Sequence, residues 1–177
     1  KGKLEEAIEA YTKALAIRPD YANAYTNIGV ALRHQGKPNE AVDAYNKALT
    51  IKPDNAETYN NLGNALQEQG KIEDSIDSYK NALKLKPNYT EAWNNIGAVF
   101  NAQGMFTEAM VAYEKALEIN IDRPTTYLNM GSVLQVQGRL SEALNVYNKA
   151  KVLAPNKAEI YCNLGDIFQK QYNLDVA

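Results

Sequence analysis

The chain repeats itself every 34 residues, and that period limits what it can fold into more than any other feature. The segments Tyr25 to Gly29, Tyr59 to Gly63, Trp93 to Gly97, Tyr127 to Gly131 and Tyr161 to Gly165 share one pattern: aromatic, variable, Asn, apolar, Gly. Gly2, Gly36, Gly70, Gly104 and Gly138 keep the same spacing, with Tyr172 in the sixth place. So do Tyr11, Tyr45, Tyr79, Tyr113 and Tyr147, and Ala14, Ala48, Ala82, Ala116 and Ala150. Pro19, Pro53, Pro87 and Pro155 follow, with Ile121 where a fifth proline would stand.

Each period holds two helical stripes. Tyr25, Ile28, Gly29 and Leu32 fall on one face of a helix, and Gly36 follows where a left-handed residue is expected to close it. Ala41, Tyr45, Ala48 and Leu49 form a second stripe, stopped by Pro53, with Asp54 or Asn55 placed to cap the next helix. Small residues at Gly29 and Ala41 let the two helices approach, and Tyr45 is large enough to fill the gap. Helix, turn, helix, turn, repeated, is an all-α solenoid. Pro124 arrives three residues after the vacant proline place and suits the first turn of the next helix, so the period survives there.

These residues resemble the tetratricopeptide repeat family, whose pattern residues 22–55 supply in order: Tyr25, Ile28, Gly29, Leu32, Ala41, Tyr45, Ala48 and Pro53. The resemblance covers residues 1–177 as a single array and implies a right-handed superhelix of antiparallel helix pairs. Complete repeats are expected at 22–55, 56–89, 90–123 and 124–157. Residues 1–21 read as the second helix of an earlier repeat; residues 158–177 read as the first helix of a later one, with the opening of its partner. Such ends lack polar caps, so Leu4, Ile8, Tyr11 and Leu15 are expected to expose an apolar face. We expect a fragment of a longer array, with self-association through those ends.

Composition excludes several functions. Net charge is −2 and the pI about 5.5, which argues against a nucleic-acid surface. No apolar run approaches the ~18 residues that span a bilayer, so no membrane partner is expected. One cysteine, Cys162, fits a reducing compartment, and a cytoplasmic or nucleocytoplasmic location is expected. His34 is the one histidine, and no ligand cluster, triad or phosphate loop accompanies it. Pairs such as Glu5-Glu6 and Glu73-Asp74 sit in first turns of helices, where the dipole favours them. No catalytic residue, no metal site and no cofactor is expected, and this stretch is not read as an enzyme.

The recurring Asn is the position that packing does not demand. Its amide offers one acceptor and two donors, and so can pair with both the C=O and the N–H of an extended peptide. The family implies that the first helix of each pair lines a concave groove. The expected peptide-binding set is the rung Asn27, Asn61, Asn95, Asn129 and Asn163, the preceding Asn60 and Asn94, Asn64 three residues on, and Gln67 and Asn101 a turn further. The alternative is that Asn caps or bridges helices inside the solenoid, since mid-helix Asn is otherwise unfavourable. Partners are protein or peptide segments.

An unbroken Asn column is similar to the superhelical arm of O-linked N-acetylglucosamine transferase, where the column holds the backbone of substrate proteins and catalysis lies in a separate domain. Chaperone-adaptor domains that clamp a terminal carboxylate need Lys before the rung; here Thr26, Asn60, Asn94, Leu128 and Cys162 stand there. Three readings follow: a scaffold for extended peptides, the substrate-recognition arm of a larger glycosyltransferase-like enzyme, and a self-assembling array.

Overall fold

A computed structural model describes residues 2–175, with side chains through Asn173. Among the described residues there are ten α-helices and no strand. They are α1 (Gly2–Ile17), α2 (Ala22–His34), α3 (Pro38–Ile51), α4 (Ala56–Glu68), α5 (Ile72–Leu85), α6 (Thr90–Ala102), α7 (Phe106–Ile119), α8 (Pro124–Val136), α9 (Leu140–Leu153) and α10 (Ala158–Asp175). The starts of α2, α4, α6 and α8 at residues 22, 56, 90 and 124 keep the sequence period. The chain divides into two compact units, residues 1–92 and 93–177.

In the first unit α2 packs on α3 and α4 on α5, while α3 bridges to α4 and α1 covers α2. One cluster joins Leu32, Ala41, Tyr45 and Leu49 to Leu62, Ala65 and Leu66, with Ile8 of α1 against it. Leu4, Ile8, Tyr11 and Leu15 are therefore half-buried rather than an open apolar face, although no residue of α1 is fully buried. In the second unit α7 packs on α8, α8 on α9 and α9 on α10. Its core runs from Ala109, Tyr113, Met130 and Val133 to Leu134, Ala143, Tyr147, Ile160 and Ile167.

The two glycine series meet different demands. Gly29 is a matter of space: a β-carbon there would lie 2.5 Å from Tyr45 Cε1, so the second-helix ring sits directly on first-helix backbone. Gly36 is a matter of conformation. Its φ is +75°, with nothing within 4 Å of where a β-carbon would be. Gly36 N–H donates to Arg33 C=O at 2.9 Å and Lys37 N–H to Leu32 C=O at 3.0 Å. These are the paired bonds of a Schellman closure, repeated at Gly70, Gly104 and Gly138.

Where Tyr172 replaces that glycine, the helix does not close. A non-glycine residue in the left-handed region costs about 1–2 kcal/mol, and α10 runs 18 residues where α8 runs 13. The partner helix expected to open in this repeat has not begun by Asp175; residues 176 and 177 lie outside the described residues. The remaining punctuation behaves as the residues suggest. Asn55 caps α4 by accepting from Thr58 N–H at 3.1 Å, and Pro124 occupies the first turn of α8.

Candidate functional site

The first helices α2, α4, α6, α8 and α10 carry the Asn rung. Asn27 is exposed, and Asn61, Asn95, Asn129 and Asn163 are half-buried. One residue back along a helix is about 100° around it, and that turn matters. Thr26, Asn60 and Leu128 face neighbouring structure instead of solvent, and Asn60 is only 5% exposed. The expectation that the preceding position shares the open face therefore fails in these copies; Asn94 is half-buried and Cys162 exposed.

That inward row joins first helices to one another. In the first unit the Thr26 and Thr58 hydroxyls share a buried hydrogen bond of 2.8 Å between α2 and α4. In the second unit Asn94 Oδ1 accepts from Thr126 Oγ1 at 3.0 Å and from Asn129 Nδ2 at 3.4 Å. Asn129 is thus partly spent on bridging α6 to α8, and retains its carbonyl oxygen and one N–H. Among the described residues nothing hydrogen-bonds the side-chain amides of Asn27, Asn61, Asn101 or Asn163. None of these amides holds a fully buried orphan atom either, so each meets solvent.

A second row of polar groups reaches this face from the second helices. Tyr45, Tyr79, Tyr113 and Tyr147 have no exposed surface, and each ring crosses the glycine of its first helix. Tyr79 Oη donates to Asn64 Oδ1 at 2.7 Å and lies 3.3 Å from Gln67 Oε1; Tyr147 Oη donates to Gln135 Oε1 at 3.2 Å. These bonds turn the Asn64 and Gln67 carbonyl oxygens inward and leave the Gln67 N–H groups to solvent. The Tyr45 and Tyr113 hydroxyls are buried and reach no acceptor. Sequence reasoning took these tyrosines as filler. The signal was that all five copies are Tyr and none is Phe, which a ring needed only for volume would not require.

Burial pushes the Tyr45 phenol up to about 12; Arg33 nearby pulls it down and Glu68 pushes it further up. Burial lifts Tyr147 to about 12 as well, with smaller contributions from Asp166 and Glu159. Tyr79 and Tyr113 are raised by the same cause. Arg33 Nη1 meets Glu68 Oε1 at 3.3 Å across α2 and α4. Among the described residues no three His, Cys, Asp or Glu side chains converge as metal ligands, and no helix is long and apolar enough to cross a membrane.

Helix pairs of this period, with a ring seated on a glycine and a glycine-closed turn, define a tetratricopeptide-repeat protein, a class of protein-interaction scaffold. The chain belongs to the family of Cilia and flagella-associated protein 70 C-terminal domains, whose profile matches residues 1–177. Among solved structures, the crystal structure of MamA is similar at 28% identity and a TM-score of 0.79, over 90% of this chain and 93% of that one. PilF of Pseudomonas aeruginosa is similar at 25% identity and 0.79, over 98% and 85%. YrrB, described as a tetratricopeptide protein with an unusual peptide-binding site, is similar at 25% identity and 0.74, over 90% and 82%. Comparison with curated proteins gives no match.

Proposed function

We propose that this chain binds extended protein segments, and that the rung amides of its first helices hold the backbone of the bound segment. The observation that carries this reading is the state of Asn27, Asn61 and Asn163. Each is a mid-helix Asn, a residue that costs helix stability, yet no internal hydrogen bond among the described residues repays it. Within each unit, an extended peptide supplies a C=O and an N–H to such amides. The N–H of Asn129 that is not spent on Asn94 adds to these amides, with Gln67 and Asn101 a turn further on. Asn60 supports the wall instead. Each bond is worth about 0.5–1.5 kcal/mol net, so several rungs give modest affinity with little dependence on ligand side chains. The resemblance to YrrB supports the same class of ligand.

The test is a variant with Asn27, Asn61 and Asn163 all changed to Ala. Calorimetric titration with blocked 12-residue peptides should show binding weakened tenfold or more, with helicity by circular dichroism unchanged. Unchanged affinity, or loss of helicity, would sink the proposal.

A further inference from the structure

Arg33 interrupts an otherwise neutral row. At the same repeat position the other first helices carry Gln67, Asn101, Gln135 and Gln169. The Arg33 guanidinium makes one ion-pair contact, of 3.3 Å to the partly exposed Glu68, where a forked Arg–carboxylate pair would make two shorter ones. Its Nε is buried without an acceptor, and so is the Tyr45 hydroxyl. The next repeat shows what is missing. There the Tyr79 hydroxyl donates to Asn64 with Gln67 Oε1 3.3 Å away, but in α2 the matching positions are Val30 and Arg33, and neither side chain can accept. The corner between α2, α3 and α4 therefore gathers guanidinium and phenol donors around one loosely held carboxylate. Glu68 acts electrostatically on both Tyr45 and Tyr79, which sets its carboxylate close to the same corner.

We propose that this corner is a carboxylate-binding subsite, where a carboxylate of the bound segment replaces Glu68 on Arg33 and accepts from the Tyr45 hydroxyl. It rests on the backbone-holding reading above, and adds what that reading lacks: one position at which the ligand's sequence matters. Glu68 acts as a resident stand-in that keeps Arg33 paired while the face is empty, because an unpaired, half-buried guanidinium is costly. A second anion brings better geometry and completes the fork.

Three 12-residue peptides of one neutral sequence separate the cases. The first is blocked at both ends with a central Gln, the second is blocked with a central Glu, and the third has the Gln sequence with a free C-terminus. Calorimetric titration at low salt should show the Glu peptide, the free-terminus peptide, or both binding about fivefold or more tighter than the blocked Gln peptide, and names the source of the carboxylate. Arg33→Gln should abolish the preference while leaving the blocked Gln peptide unaffected. Glu68→Gln changes only a partly exposed group, so the fold is kept, and it should strengthen the carboxylate peptide severalfold by removing its competitor. Equal binding of all three peptides, or a preference that survives Arg33→Gln, overturns the subsite and leaves the backbone-holding reading standing. Failure of all three to bind overturns both.

Discussion

Gly63 of α4 lies flat beneath Tyr79 of α5: a β-carbon on Gly63 would stand 2.6 Å from Tyr79 Cε1 and 2.8 Å from Cδ1. The ring cannot withdraw, because Tyr79 has no exposed surface and its hydroxyl is tied to Asn64 at 2.7 Å. Ala is preferred to Gly in a helix by about 1 kcal/mol, while overpacking a closed core costs about 1–3 kcal/mol. Gly63→Ala should therefore destabilise the chain by up to about 2 kcal/mol in urea unfolding. Gly165→Ala should do the reverse. Nothing lies within 4 Å of its β-carbon position and its φ is ordinary, so only the helix-propensity gain, up to about 1 kcal/mol, remains. The same substitution at two positions of one repeat register should move stability in opposite directions.

The tyrosine hydroxyls allow a sharper comparison. Tyr79→Phe removes the 2.7 Å hydrogen bond to Asn64 and should cost about 1 kcal/mol. Tyr45→Phe removes a buried hydroxyl that has no acceptor, so unfolding free energy should stay level or rise slightly. If the carboxylate subsite is right, Tyr45→Phe nonetheless weakens binding of a carboxylate-bearing peptide. A loss of stability at Tyr45 equal to that at Tyr79 would show that its hydroxyl is satisfied in solution.

How much of this was legible from the residues depends on distance along the chain. Helix positions follow from local rules. Gly36 and its copies mark the Schellman closures, Asn55 caps α4, and Pro124 restores the register that Ile121 breaks. The seat of Tyr45 on Gly29 was also readable, since small and large residues recur in step. The fate of each amide was not. Asn60 and Asn94 occupy the same repeat position and neither looks different in sequence, yet Asn60 is buried while Asn94 is a half-buried acceptor for α8. Whether a tyrosine hydroxyl finds an acceptor turns on first-helix residues twelve and fifteen positions earlier: Asn64 serves Tyr79 and Gln135 serves Tyr147, whereas Val30 and Ala98 offer Tyr45 and Tyr113 nothing. The extension of α10 past Tyr172 was foreshadowed by the missing glycine, but the repeat pattern outweighed it.

Alkaline unfolding should be led by the buried rings. Tyr45 and Tyr147 hold their protons to about pH 12 in the folded chain, against an ordinary value near 10. The unfolded state therefore releases protons first as pH rises. Stability is fully present below about pH 10 and falls between 10 and 12. At pH 11 both rings therefore lower stability, and Tyr79 and Tyr113, raised by the same cause, add to the loss. Phenolate absorbance should rise in two stages, the four tyrosines with no exposed surface, of the twelve in the chain, appearing only with the loss of helical circular dichroism. A single stage completed while the helices persist would contradict the burial argument.

The last comparison separates the two roles of Asn on this face. Asn94 bridges, because its Oδ1 accepts from Thr126 and from Asn129, and Thr126 has no exposed surface through which water could take over. Asn94→Ala strands that hydroxyl, and an orphaned buried polar group costs about 1–3 kcal/mol; the variant should unfold at correspondingly lower urea. Thr126→Val in the same background removes the stranded group and should recover most of the loss. Asn61 has no internal partner, so Asn61→Ala should leave unfolding free energy unchanged, or raise it slightly by improving helix propensity. Its effect belongs in ligand affinity, where the loss of an amide that pairs with backbone C=O and N–H should weaken peptide binding severalfold. If Asn61→Ala instead lowers stability as Asn94→Ala does, the rung is a structural brace and the backbone-holding proposal loses its main support.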